Sequence, residues 1–167
     1  VMSASLICRS ATLEDAHAIS EIYNYYVDHT IITFEEESVS SKDIAQRLEQ
    51  VFANSLPWLV AEIDGRVIGY AYAAPWRERS AYRHSVEVSV YLEQKIALRG
   101  VGSLLYSALF EALEASDVHV ALAGIALPND RSIALHEKFE MKKVAHLSQV
   151  GRKFDQWIDV GYWQRIL

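Results

Sequence analysis

The spacing of hydrophobic and polar positions changes period several times along the chain, and each change predicts an element. The run SLICRSA (5–11) reads as a short strand. Thr12 followed by Asp15 is a capping-box pattern, in which two side chains three positions apart satisfy free backbone N–H groups, so a helix is expected through about His29. A second helix is expected to start near Ser40 or Ser41, with Asp43 close behind. PWLVAEI, the pair Asp64-Gly65 and RVIGYAYAAP predict a hairpin, because Asp-Gly supplies the positive φ angles of a two-residue turn. In the next strand, SVEVSVYL, alternation puts Ser85, Glu87, Ser89 and Tyr91 on one face and Val86, Val88, Val90 and Leu92 on the other. Gly100 and Gly102 then open an apolar helix whose Val101, Leu104, Leu105, Ala108, Leu109 and Ala112 fall at helical spacing and read as core. HVALAGIAL is a further strand, a helix runs from about Asp130 to Phe139, and KVAHLSQVG and QWIDVGYWQ are the last two strands. This order predicts an α+β fold, a mixed sheet covered by helices.

Composition narrows the function classes. No repeat, low-complexity tract or flexible linker divides the 167 residues, which suffice for one buried core, so a single domain over 1–167 is expected. A net charge of -6 lacks the basic face of a nucleic-acid binder and favours small-molecule ligands. The single cysteine, Cys8, has no internal disulfide partner and reads as a small buried hydrophobe in the first strand. No apolar run approaches the roughly 20 residues that would span a bilayer, and the opening residues lack a signal-peptide pattern. A cytoplasmic protein with no membrane partner is expected.

Chemistry enters at the two glycines. A helix start carries unpaired N–H groups and the positive end of the helix dipole, and glycine lets a phosphate come close. The spacing alone fits a plain strand-to-helix turn equally well. No Lys-Ser or Lys-Thr follows, as a P-loop needs, and Leu105 stands where a dinucleotide fingerprint wants a third glycine. Glu87 is a carboxylate on the polar face of an otherwise apolar strand, a pattern that by itself fits a solvated or hydrogen-bonded acid. The histidines His17, His29, His84, His119, His136 and His146 show no metal-ligand spacing, and no metal is expected.

LRGVGS after SVEVSVYL, with NDRSIALHEKF downstream, resembles the pyrophosphate motif and coenzyme helix of the GNAT superfamily of acetyl-CoA N-acetyltransferases. PWLVAEIDG, YAYAAPWRERSAYRHSVEVSVY, LPNDRSIALHEKF and VGRKFDQWIDVGYWQ together resemble its phosphinothricin and methionine sulfoximine acetyltransferase family over nearly the whole chain. The resemblance implies a GNAT fold, a mixed twisted sheet of about seven strands with about four helices, in which two parallel strands splay to admit pantetheine. It implies acetyl-CoA as co-substrate, held by the main chain of Val90, Tyr91 and Leu92, by Leu98, Arg99, Gly100, Val101, Gly102 and Ser103 at the pyrophosphate, and by Asn129 and Ser132. It further implies Glu87 as the catalytic base and His136 near the sulfur, as an acid or a coenzyme contact. The acceptor is implied at Phe34, Arg77, Glu78, Arg79, Tyr82, Glu87, Val88 and Ser89, where an arginine would pair with a carboxylate through two parallel hydrogen bonds. Arg83 is read as merely solvated. Lys153, Phe154 and Trp157 are implied to close the pocket across a homodimer interface.

Two positions depart from the family pattern. Ala97 stands where the superfamily motif usually begins with Gln or Arg, leaving Arg99 to supply positive charge. Glu140 and Met141 stand where Gly and Phe are usual, which predicts a strained or differently shaped helix cap. The expected function is direct N-acetylation of a small amino-acid-like amine; a protein N-terminal or lysine acetyltransferase and a non-catalytic acetyl-CoA or metabolite-binding module are the alternatives.

Overall fold

The computed structural model describes residues 5–96 and 98–167. Strand β1 (Leu6–Ser10) leads through a 3₁₀ turn (Leu13–Asp15) into α1 (Ala16–His29), and α2 (Ser41–Ala53) follows a loop. Both expected capping boxes are present, Thr12 with Asp15 and Ser40 with Asp43. The hairpin of β2 (Trp58–Ile63) and β3 (Arg66–Pro75) turns through Asp64 at φ 50° and Gly65 at φ 80°. Then come β4 (Ser85–Leu92), α3 (Val101–Glu114), β5 (Val120–Ala126), α4 (Asp130–Lys138), β6 (Lys142–Lys153) and β7 (Gln156–Ile166). Ala97 lies outside the described residues, and with it the departure expected there.

Among the described residues the seven strands form one sheet in the order β1-β2-β3-β4-β5-β7-β6. Only the β4–β5 pair is parallel. Each face of the sheet carries its own core. Val86 and Val88 join Leu105, Leu109 and Leu113 of α3 on one side. Trp58, Val60 and Tyr70 join Ile19, Tyr23, Ile44 and Leu48 of α1 and α2 on the other, with Tyr91 packed against them. The alternation expected for β4 is thus the one that divides its residues between the layers.

The stripe on α3 needs one correction. Tyr106, Phe110 and Leu113 are buried, whereas Ala112 is exposed. Large side chains decide which face turns inward, since an alanine contributes little area to bury. Cys8 is only partly buried. No described helix is long and apolar enough to cross a membrane.

Candidate active site

The sheet opens at Glu87. Parallel pairing of β4 with β5 runs from Ser85↔Val120 to Glu87↔Leu122 and stops there. Beyond it Val88–Leu92 pair with β3 and Ala123–Ala126 pair with β7, so the facing edges of β4 and β5 diverge. Backbone N–H and C=O groups on such edges need partners, and an extended polar chain laid between them would supply these as an added strand does. One carbonyl, that of Leu92, accepts the Tyr26 hydroxyl at 2.5 Å.

A cleft of about 340 Å³ lies at the mouth of this gap, and Val90, Tyr91, Leu92, Asn129 and Ser132 line it together with Arg131. Five of the expected coenzyme residues therefore share one wall. The glycine turn lies at the mouth of α3. Gly100 is the N-cap at φ 86°, a left-handed angle that only glycine adopts without strain. The first intrahelical bond runs from Leu104 N to Gly100 O at 2.9 Å, so the N–H groups of Val101, Gly102 and Ser103 have no intrahelical acceptor. Gly102 serves a different purpose: a Cβ there would stand 3.3 Å from Leu135 Cδ2, so its absence lets α3 approach α4. Lys138 brings a cation to the same turn, donating to Ser103 Oγ at 2.9 Å. Leu98, Arg99 and Gly100 are exposed.

On the other side of the opening a cavity of about 360 Å³ is walled by Thr33, Phe34, Glu87, Ser89, Leu147 and Tyr162, among others. A passage of about 50 Å³ adjoins both spaces, sharing Ser89 and Gly124 with this cavity and Asn129 and Ser132 with the cleft. Glu87 is half-buried, and burial raises its carboxyl pKa above the ordinary 4.5, against a smaller lowering by the nearby backbone N–H of Gly124. Gly124 leaves room for that carboxylate, since a Cβ would lie 3.4 Å from Glu87 Oε1 and 3.1 Å from Tyr162 Cε1.

His136 is buried beside the passage. Its Nδ1 lies 2.7 Å from the Ser132 carbonyl oxygen, which only accepts, so Nδ1 carries the proton. Nε2 is then an acceptor and takes the Tyr106 hydroxyl at 2.8 Å. Burial lowers the histidine pKa, which keeps the ring neutral. The proton on the imidazole is thus engaged with Ser132 and the hydroxyl proton of Tyr106 with the imidazole, and burial pushes the tyrosine pKa up.

The loop over the Glu87 cavity is tied down at several points. Arg47 donates to both oxygens of Glu35, at 3.0 and 2.5 Å, and Tyr23 bonds Glu35 and Thr33. Asn24 brackets Val39 through its N–H and its carbonyl. Lys153, buried at the end of β6, donates to Thr33 O at 2.8 Å.

The arginine segment stands apart. Arg77, Glu78 and Arg79 line a separate depression of about 370 Å³ with Arg83, and Glu87 is not in its wall. Tyr82 is exposed and lines neither space. The link to the Glu87 cavity is aromatic: Arg77 lies over Trp76, 5.0 Å from the ring centroid, and Trp76 packs edge-on against Tyr162. Sequence reasoning missed Tyr106, Gly124, Arg131, Lys138, Leu147, Val150 and Tyr162. For Arg131 and Lys138 a signal existed, since both lie on the coenzyme helix beside Ser132 and His136. Among the described residues no group of three or more His, Cys, Asp or Glu is placed to hold a metal ion.

A parallel pair that splays beside a glycine-opened helix, with a half-buried carboxylate at the fork, defines an acyltransferase of the GNAT type. The family model for the acetyltransferase (GNAT) domain matches residues 8–161, and the chain belongs to that family. It is 39% identical over 157 residues to the phosphinothricin N-acetyltransferase of Streptomyces viridochromogenes, covering 94% of this chain and 85% of that one. It is 37% identical over 159 residues to the L-methionine sulfoximine/L-methionine sulfone acetyltransferase of Salmonella typhimurium, covering 93% and 91%. The acetyltransferase yncA of Salmonella typhimurium, solved with its cofactor acetyl-CoA, superposes with a TM-score of 0.93 at 34% identity, over 97% of this chain and 94% of that one. The family and the branch are those that the sequence resemblance implied.

Proposed function

We propose that this chain transfers an acetyl group from acetyl-CoA to the amino group of a small amino-acid-like molecule, of the class named in phosphinothricin and methionine sulfoximine or sulfone. The observation that carries this reading is the position of Glu87 at the fork, where the cavity on its own side adjoins the passage to the cleft. The cleft suits a coenzyme with a peptide-like arm and phosphates: its wall offers a strand edge and the cation Arg131, and next to Leu92 and Leu135 of that wall stand the glycine turn with its free helix N–H groups and the cation Lys138.

Acetyl-CoA supplies an acyl thioester. Glu87 takes the proton from the acceptor's ammonium, directly or through one water, and its raised pKa makes it a better base than a solvated carboxylate. The freed amine attacks the carbonyl carbon, and as the adduct collapses and the carbon–sulfur bond breaks, its surplus N–H proton passes to the departing sulfur, which leaves as the thiol. His136 contacts the coenzyme and holds the Tyr106 hydroxyl, and burial pushes the tyrosine pKa up, so the phenol keeps its proton as a fixed polar group beside the passage. Transfer is direct within a ternary complex, for Cys8 sits on β1 at the far edge of the sheet. Arg77 stands at the rim, over Trp76, which packs against Tyr162 of the cavity wall, and from there it draws the acceptor carboxylate by its charge. Phe154 and Trp157, 52% and 61% exposed near the tip of the β6–β7 hairpin, are apolar surface that a second copy would cover in a homodimer. The protein works in the cytoplasm.

The test is a panel of amines with acetyl-CoA, read by release of free thiol. Free amino-acid-like amines should react. Release with peptides alone, or with no amine, would overturn the reading.

A further inference from the structure

Strand β6 is irregular where it faces the acceptor cavity. Its register against β7 shifts between Leu147 and Gly151, and Gln149 within the shift has φ 53°. The bulge is fastened by the Asp159 carboxylate, which accepts Gln149 N at 2.8 Å and lies 2.8 Å from His146 Nε2. A bulge re-aims side chains, and this one turns Leu147 and Val150 onto the cavity and ends on the buried Gly151. Phe34, another wall of the cavity, rests on Gly151. A Cβ at Gly151 would stand 2.5 Å from Phe34 Cζ and 3.1 Å from Cδ2, closer than real side chains come. Gly151 is not in the left-handed region, so what it provides is room rather than a backbone angle. The loop backbone beside Phe34 is tied through Thr33 to Lys153 and through Glu35 to Arg47. Phe34 itself is 41% exposed, so one side of it has no packing against it.

We propose that Gly151 determines the length of acceptor side chain the enzyme takes, by seating the Phe34 ring as the outer wall of the acceptor cavity. The proposal rests on assigning that cavity to the acceptor, as above. A methyl group at Gly151 pushes the ring toward the solvent on its exposed side and lengthens the cavity, while the tied loop stays in place.

The experiment measures kcat/KM for amino-acid acceptors of increasing side-chain length, at saturating acetyl-CoA. Gly151→Ala should raise the preference for long over short acceptors by about tenfold, the low end of what one methylene's worth of pocket confers, with the KM for acetyl-CoA unchanged. Phe34→Ala should shift the preference in the same direction, and adding Gly151→Ala to it should change nothing further, because both act through one ring. An unaltered preference in Gly151→Ala, or effects of the two substitutions that add, overturns the proposal. Should Gly151→Ala fail to fold, Phe34→Ala alone must shift the preference, and an unshifted result overturns it equally. An unsubstituted enzyme that acetylates no amine defeats the acceptor assignment itself and this proposal with it, and is recognised before any variant is made.

Discussion

Replacing Glu140 by glycine should stabilise the protein. Glu140 follows the end of α4 with φ 65°, a left-handed residue bearing a Cβ. Around it Glu140 N bonds Glu137 O at 3.1 Å and Met141 N bonds His136 O at 3.2 Å, the pair of bonds that closes a helix in a Schellman motif and normally calls for glycine. A Cβ in that region costs about 1–2 kcal/mol. Glycine gives back about 0.5–1 kcal/mol through the greater freedom of its unfolded chain. The Glu140 carboxylate lies 3.4 Å from Arg165 but is 78% exposed, and Arg165 keeps the closer partner Glu114 at 2.6 Å, so that pair adds almost nothing. The balance is a gain of about 0.5–1 kcal/mol for Glu140→Gly, or about 2 °C in Tm for a chain of this size. Thermal unfolding measures it, with Glu140→Ala as control because it loses the ion pair and keeps the Cβ. A Glu140→Gly protein that melts no higher than the parent, or a Glu140→Ala protein that melts equally high, would refute the strain. The KM for acetyl-CoA should not move, since the cap bonds behind His136 are already made.

Three further outcomes can be checked. Acetyl-CoA or CoA should raise the Tm of the parent by mass action, and Gly102→Val, which thrusts a side chain toward Leu135 and Leu92 at the mouth of α3, should remove that rise; a retained rise would place the phosphates elsewhere. Arg77→Ala should raise the KM for an amino-acid acceptor far more than that for acetyl-CoA, and equal losses would sink its role at the acceptor carboxylate. Burial raises the Glu87 pKa, so the fold favours the protonated carboxyl, and the stability this contributes below the ordinary 4.5 is lost as pH rises through the folded value. Glu87→Gln should therefore melt higher than the parent at neutral pH and lose the advantage in acid, and a lower Tm at neutral pH would contradict the burial.

Local chemistry made much of this molecule legible before its structure. Thr12 with Asp15, Ser40 with Asp43 and Asp64-Gly65 each act over a few residues, and each lies where the sequence put it. The alternation along β4 likewise needs only the period of a strand. Longer-range features left no such mark. The bulge in β6 exists only against β7 and Asp159, so KVAHLSQVG gave the strand but neither its break nor its full extent, Lys142–Lys153. The Glu87 cavity draws Phe34, Leu147 and Tyr162 from segments far apart in the chain, and no periodicity joins them. Tyr106 has a fully buried ring and an oxygen bonded to His136, a partner on another helix that no local spacing reveals. Arg77 was placed by resemblance beside the acceptor, and the structure sets it one aromatic contact away.

The base at the fork is tested most directly by the pH dependence of turnover in Glu87→Gln. An acceptor ammonium free in water holds its proton well above neutrality, so an enzyme without a base works only on the small deprotonated fraction. The parent's rate should rise and level off once Glu87 is ionised, at a pH above the ordinary carboxylate range because of its burial. Glu87→Gln should turn over about 10²- to 10⁴-fold more slowly and keep climbing with pH, while binding acetyl-CoA as before. Parental turnover with a parental pH profile in that variant would show that Glu87 is a structural carboxylate and that the proton leaves by another route.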